Sequence, residues 1–289
     1  MLTFPSHPGL RVLALALVQT LFSLALHGQC SDAGACAAGR VEPSRGNQIA
    51  LSLQGGATGP PDFLSIRGFR LDALVRLGPS TALVLTLPFQ RIEGPRGRVS
   101  GLGDSVLILD QALVKEPSWG LSAQVGSRLS TGKADADPTL PQAYQTGLGP
   151  SDLMLGLRGS LEAWQGGLVY QKAGGRSANP ITRLRRGDDA VAWLSRSFEW
   201  QETRITVKGL GIKRLSLSSV RDIGASSERF VDVPDSDRLQ LNLDLEVMHP
   251  LTKALRILGR ADLPILKRST NVDGLKRSRS LSLGLVWSF

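Results

Sequence analysis

The sequence predicts an all-β fold, a transmembrane antiparallel up-and-down barrel of about twelve strands. Three observations carry that expectation. From Gly46 onward, runs of about ten residues alternate apolar and polar side chains. The connections between the runs alternate between short and long. Four tryptophans fall beside the short connections or at the C-terminus.

A period of two puts successive side chains on opposite faces of a strand. Between Arg238 and Val247, Leu239, Leu241, Leu243, Leu245 and Val247 share one face, and Arg238, Gln240, Asn242, Asp244 and Glu246 share the other. Leu121, Ala123, Val125 and Leu129 oppose Ser122, Gln124 and Arg128 in the same way. So do Phe69, Leu71, Ala73, Val75 and Leu77 against Arg70, Asp72 and Arg76, and Leu281, Leu283, Leu285, Trp287 and Phe289 against Ser280, Ser282, Gly284 and Ser288. With the weaker runs added, strands are expected near 47–55, 66–77, 81–91, 104–115, 119–129, 152–162, 166–173, 189–198, 202–212, 238–248, 253–263 and 279–289.

The even-numbered connections are short: Gly78-Pro79-Ser80, Glu116-Pro117-Ser118, Ala163 to Gln165, Glu199 to Gln201, and His249 to Thr252. The odd ones are longer, at 56–65, 92–103, 130–151, 174–188, 213–237 and 264–278. Even-stranded bacterial barrels show this pattern, with short periplasmic turns and long external loops. A soluble sandwich has no reason to sort its loops by length. Trp119, Trp164, Trp200 and Trp287, with Phe198 and Phe289, mark one girdle at the membrane boundary, and Phe69 and Phe89 a thinner one opposite. The alternative is that these rings fill a soluble core.

In a bilayer the apolar face of a barrel looks outward and the polar face lines the lumen. The expected inner set includes Arg70, Asp72, Arg76, Asp110, Gln124, Arg128, Arg158, Arg196, Arg204, Lys208, Arg238, Gln240, Asn242, Asp244, Glu246, Arg256, Arg260 and Asp262. A soluble core cannot bury such a set unpaired. Basic members outnumber acidic ones ten to five, which predicts a positive lumen. The other reading of these charges is that they pair across the lumen as struts.

Residues 1–38 read as a signal peptide and processing region, and 39–289 as the barrel. Arg11 precedes an apolar run from Val12 to Leu26, which is too short for a spanning helix. Cys30 and Cys36 fall at the processing region, either lost with the leader or closing a small loop in an oxidising compartment. Ser280 to Phe289, alternating and ending in phenylalanine, resembles the signal read by the outer-membrane barrel assembly machinery. Lipid and that machinery are therefore the expected macromolecular partners, in a Gram-negative outer membrane. The net charge of +9 comes from scattered residues without basic runs, so nucleic acid is not expected as a partner.

No enzyme, cofactor or metal motif stands out. Histidine outside the leader is confined to His249, so the base that activates a serine or a water is missing from the external rim. Asp135 and Asp137 are too few for a calcium site.

Two segments resemble the outer-membrane family named after the meta-pathway of phenol degradation. One is Leu87-Pro88 followed by Ser100-Gly101-Leu102-Gly103-Asp104; the other runs from Arg128-Leu129-Ser130-Thr131-Gly132-Lys133 through Leu140-Pro141 to Tyr144-Gln145-Thr146-Gly147-Leu148-Gly149-Pro150-Ser151-Asp152. In both, a glycine turn with an aspartate opens the next strand. Asp104 and Asp152 are expected to accept backbone N–H bonds there, or else to form part of a pore mouth. The resemblance implies passive uptake of small, often aromatic or hydrophobic, compounds. The many arginines of the inner set argue against a purely hydrophobic solute and for an aromatic or carboxylated one, an aromatic carboxylate before a neutral hydrocarbon. The other expected outcomes are a non-conducting structural or adhesive barrel and a soluble exported β-protein.

Overall fold

The structure is a computed structural model that describes residues 46–289 except 59, 61, 62, 268, 269, 271, 272 and 274–276. The expected leader, with Cys30 and Cys36, lies outside the described residues. Strands form at β1 (Gln48–Thr58), β2 (Ser65–Arg76), β3 (Thr81–Gly94), β4 (Gly97–Leu102), β5 (Ser105–Lys115), β6 (Trp119–Leu129), β7 (Asp152–Leu161) and β8 (Trp164–Lys172). They continue as β9 (Asp189–Trp200), β10 (Thr203–Arg214), β11 (Ser219–Arg221), β12 (Phe230–Asp232), β13 (Leu239–Pro250), β14 (Leu255–Leu266) and β15 (Arg277–Ser288).

Twelve of these close into a ring in the order β2-β1-β15-β14-β13-β10-β9-β8-β7-β6-β5-β3, and a β2–β3 pairing completes it. Ring neighbours are antiparallel, from the β1–β15 seam (Gln48 opposite Ser288) to the β2–β3 pair (Arg76 opposite Ala82). The twelve-strand barrel expected from alternation is the fold observed, and it removes every sheet edge that lipid cannot satisfy.

The outer face is apolar and the inner face is buried. Leu239, Leu241, Leu243, Leu245 and Val247 are exposed on β13, while Gln240 and Asn242 are 4% and 2% exposed. Leu51, Leu53, Leu153, Leu155, Leu157, Leu168 and Leu194 continue the exposed belt around the ring. An apolar surface on this scale belongs in lipid rather than in water. Trp119, Trp164, Trp200, Trp287, Phe198 and Phe289 are all exposed at the short-turn end of that belt, and Phe69 and Phe89 at the long-loop end.

Three features depart from expectation. First, β3 is longer and turns back into β4, so part of the expected 92–103 loop is a hairpin. β4 and β5 are two pieces of one wall strand, broken opposite Pro88. Proline has no N–H to continue the ladder. The β3–β4 ladder stops at Phe89 opposite Leu102, the β3–β5 ladder starts at Thr86 opposite Val106, and Gly103 donates to the Pro88 carbonyl at 2.8 Å between them. Second, the expected 213–237 loop carries the β11–β12 hairpin. Third, the inner wall is not purely polar: Leu74, Val84, Ile108, Met154, Val169, Val191, Trp193, Leu210 and Ile212 form a buried apolar band within the ring.

Candidate functional site

The long connections fold into the barrel mouth and pack there. Leu140 and Tyr144, from the 130–151 connection, sit against Leu64, Ile66, Ile92 and Val99 at the tops of β2, β3 and β4. Gln142 Nε2 donates to the Gly147 carbonyl at 2.7 Å, and Asn179 Nδ2 donates to the Ala134 and Leu140 carbonyls at 3.0 Å each. Gln90 on β3 holds the Thr146 carbonyl at 2.8 Å. Loops with this many buried polar partners are one folded layer.

The motif glycines serve this layer. A Cβ on Gly147 would meet the Gly132 backbone at 2.4 Å and an Asp104 carboxylate oxygen at 2.7 Å, so the two arms of the loop touch backbone to backbone. Gly149 adopts φ +97°, a conformation that side chains rarely tolerate. Gly103 lies in the wall break opposite Pro88, and Gly101 lies in β4 just before it, opposite Gln90. The two halves of the sequence motif, Leu87–Asp104 and Arg128–Asp152, thus meet at one place. Asp104 accepts N–H bonds from Gly132 at 3.2 Å and Leu148 at 2.8 Å, and Asp152 accepts one from Gly174 at 3.0 Å.

From these two aspartates an ionic relay runs round the mouth. Arg128 on β6 binds Asp104, Asp152 at 2.9 Å and the Pro150 carbonyl at 2.9 Å. Asp152 then receives Gln171 at 2.6 Å and Arg186 at 3.1 Å. Arg186 also holds Asp189 at 2.6 Å and Asp273 at 3.1 Å, and Arg214 at the end of β10 bridges the same two carboxylates at 3.1 and 3.0 Å. The arginine and aspartate side chains of this relay are all less than a tenth exposed. Burial by itself pulls the Arg186 pKa down; Asp189, Asp273 and Asp152 outweigh it and hold the guanidinium above its ordinary value. Asp273 lies in the β14–β15 connection, so the relay ties a loop from the far side of β13 to the β7–β10 wall.

Below this layer a second cluster sits on β5, β6 and β7. Arg158 contacts both Asp110 oxygens at 3.1 and 3.2 Å, and Gln124 donates to Asp110 at 2.7 Å. Next to it, towards the short turns, is a cavity of about 90 Å³ lined by Arg76, Lys115, Ser122 and Arg158. On the other wall Arg70 meets Asp72 at 2.7 Å, Lys208 meets Asp244 at 3.2 Å, Arg260 binds Glu246, and Ser280 binds Asp262.

Arg70, Asp72, Arg76, Arg128, Arg158, Asp244, Glu246, Arg260 and Asp262 therefore project from the inner face. Arg238 does not join them: it precedes β13, is exposed and pairs with Asp235 at 3.0 Å. Arg196 is a correction. It stands on the outer face of β9 with its guanidinium over the Trp164 and Phe198 rings at 5.2 and 5.1 Å. The cause is that β9 carries apolar residues on both faces, Val191 and Trp193 inward and Ala192 and Leu194 outward, so alternation there gives no contrast. Snorkelling to the girdle satisfies the charge there. The expected basic excess shrinks as well, because the relay adds four carboxylates, Asp104, Asp152, Asp189 and Asp273, to the inner charge set against two further arginines, Arg186 and Arg214. Asp189 and Arg214 continue the inner parity of β9 and β10, a signal that was available; Arg186 and Asp273 lie in loops and carry none.

Comparison with solved structures places this architecture. An outer membrane channel from Pseudomonas putida F1 superposes with a TM-score of 0.62 at 17% identity, over 86% of this chain and 97% of its own. The fold is that of outer-membrane barrels. The NanC porin (TM-score 0.51, 9% identity, 84% and 98% coverage) and the translocator domain of the autotransporter NalP from Neisseria meningitidis (0.50, 12%, 96% and 98%) share it. No family model matches the sequence, and no curated protein matches it.

Proposed function

We propose that this chain is an outer-membrane channel for small solutes, with the short turns in the periplasm and the Arg128–Arg186–Arg214 relay sealing the external mouth. The observation that carries the reading is the inner wall. It holds ionised side chains in pairs on a face that a bilayer protein can only turn toward water or toward other protein. The long loops at one end of the ring and the closed β1–β15 seam, continued by the Asn47–Phe289 backbone pair, support insertion as a complete barrel.

The solute we favour is a small carboxylate, aromatic in keeping with the resemblance to the phenol meta-pathway family. The cavity near the short turns supports this: Arg76, Lys115 and Arg158 face it against one acid, Asp110. A locally basic cavity concentrates anions, and the effect fades as salt shortens the Debye length from about 10 Å at 0.1 M to about 3 Å at 1 M.

Single-channel recording in a planar bilayer tests the reading. The wild type is expected to open briefly and prefer chloride over potassium at low salt. Arg186→Gln is expected to lengthen the openings, and Lys115→Glu to shift the reversal potential toward cations. Silence from both wild type and Arg186→Gln favours the second reading, a non-conducting barrel with a strut-filled lumen, which the burial of the relay also supports.

A further inference from the structure

On the outward face of β2, β3 and β4, successive rungs of the wall change abruptly from apolar to basic. Phe69, Phe89 and Leu102 stand side by side across the three strands, all exposed, with the two rings stacked 5.0 Å apart. The next rung toward the long loops is Arg67, Arg91 and Ser100, and the one after it is Ser65, Glu93 and Arg98. Two residues along a strand span about 7 Å. An interfacial layer of a bilayer is about 5–7 Å deep. If the rings mark the end of the hydrocarbon, the guanidinium groups stand at headgroup level.

Arginines directly opposite each other on neighbouring strands repel, and a sheet gains nothing from them in water. Arg67 and Arg91 are such a pair. Arg91 holds Glu93 at 2.8 Å, and Arg67, Arg91 and Arg98 all act electrostatically on that one carboxylate. Three cations around one acid leave an excess of two positive charges on an exposed wall. Arginine forks match phosphate oxygens in pairs, and the Ser100 hydroxyl beside Arg91 adds a donor.

We propose that this patch binds the phosphorylated headgroup of a glycolipid of the outer leaflet. Arg67 and Arg91 clamp one phosphate, Arg98 reaches a second, and the acyl chains lie along Phe69, Phe89 and Leu102. The assignment rests on the long loops facing outward, as in the proposed function, and does not depend on conductance.

The test uses the full refolded barrel in detergent, with binding read by native mass spectrometry. The probes are bis-phosphorylated lipid A, the same lipid stripped of both phosphates, and inorganic phosphate as competitor. The wild type is expected to bind the phosphorylated lipid at least tenfold more tightly than the stripped one. Arg67→Ser/Arg91→Ser is expected to lose that preference, with Arg67→Lys/Arg91→Lys in between and Arg196→Ser, at the opposite girdle, unchanged. These side chains lie beyond the apolar belt, and heat-modifiable migration reports that each variant folds. Equal binding of the two lipids by the wild type, an undiminished preference in the double serine variant, or displacement of the lipid by equimolar inorganic phosphate would each overturn the proposal.

Discussion

Arg214 holds Asp273 at 3.0 Å although 59 residues separate them along the chain. The contact fastens the β14–β15 connection to the end of β10, and Asp189 and Arg186 lock it from the other side. Removing one member of a buried charge pair strands the other, at a cost of about 3–5 kcal/mol. Arg214→Met should therefore lower the urea midpoint of the barrel in vesicles markedly, and Arg214→Met/Asp273→Leu should recover part of the loss. An unchanged midpoint in the single variant would mean that the relay is not formed.

The Gly132–Gly147 approach yields a sharper steric test. Gly147→Ala forces a methyl into the Gly132 backbone at 2.4 Å, whereas a Cβ on Gly101 finds Thr146 at an ordinary 3.6 Å. Overpacking of this kind costs about 1–3 kcal/mol. Protease added to intact vesicles should cut the 130–151 connection faster in Gly147→Ala and at the wild-type rate in Gly101→Ala.

Leu243 lies mid-strand on the outer face. Leu243→Arg places a charge in the bilayer at a cost of about 2–4 kcal/mol, while Leu243→Phe keeps the surface apolar. Refolding yield in lipid vesicles should drop for the first and hold for the second. Equal yields would reverse the assignment of faces.

Tryptophan fluorescence separates the girdle from the lumen. Single-tryptophan proteins retaining Trp119, Trp164 or Trp287 should be quenched most by lipids brominated near the headgroup. One retaining Trp193, which is 6% exposed on the inner face, should resist quenching at every depth.

One carboxylate reports on the loop layer. The Thr139 hydroxyl and backbone N–H, at 2.6 and 2.9 Å, hold the Asp137 pKa below its ordinary value of 3.8. A lowered pKa stabilises the folded turn at pH values above 3.8, and the contribution disappears as pH falls through the folded value. Protection of the Thr139 amide, measured relative to its intrinsic exchange rate at each pH, should fall on acidification below that point, and Thr139→Val should raise the Asp137 pKa.

The barrel was legible because a lipid-facing strand repeats every two residues and a one-residue error would turn Leu243 inward. Most inner charges, among them Arg128 and Arg158, follow from that period, while the strand count and the girdle rings follow from it together with the short–long alternation of the connections. Arg196 points outward against expectation because β9 carries apolar residues on both faces, so parity there has little contrast. The relay was beyond reach for a different reason. Arg186 and Asp273 sit in connections with no period, and their partners Asp189 and Arg214 become a site only when the ring brings β9, β10 and the β14–β15 connection to one mouth. Local alternation sets which way a side chain points. Which charges meet is decided by closure of the ring and by loops that bury their polar groups inside it.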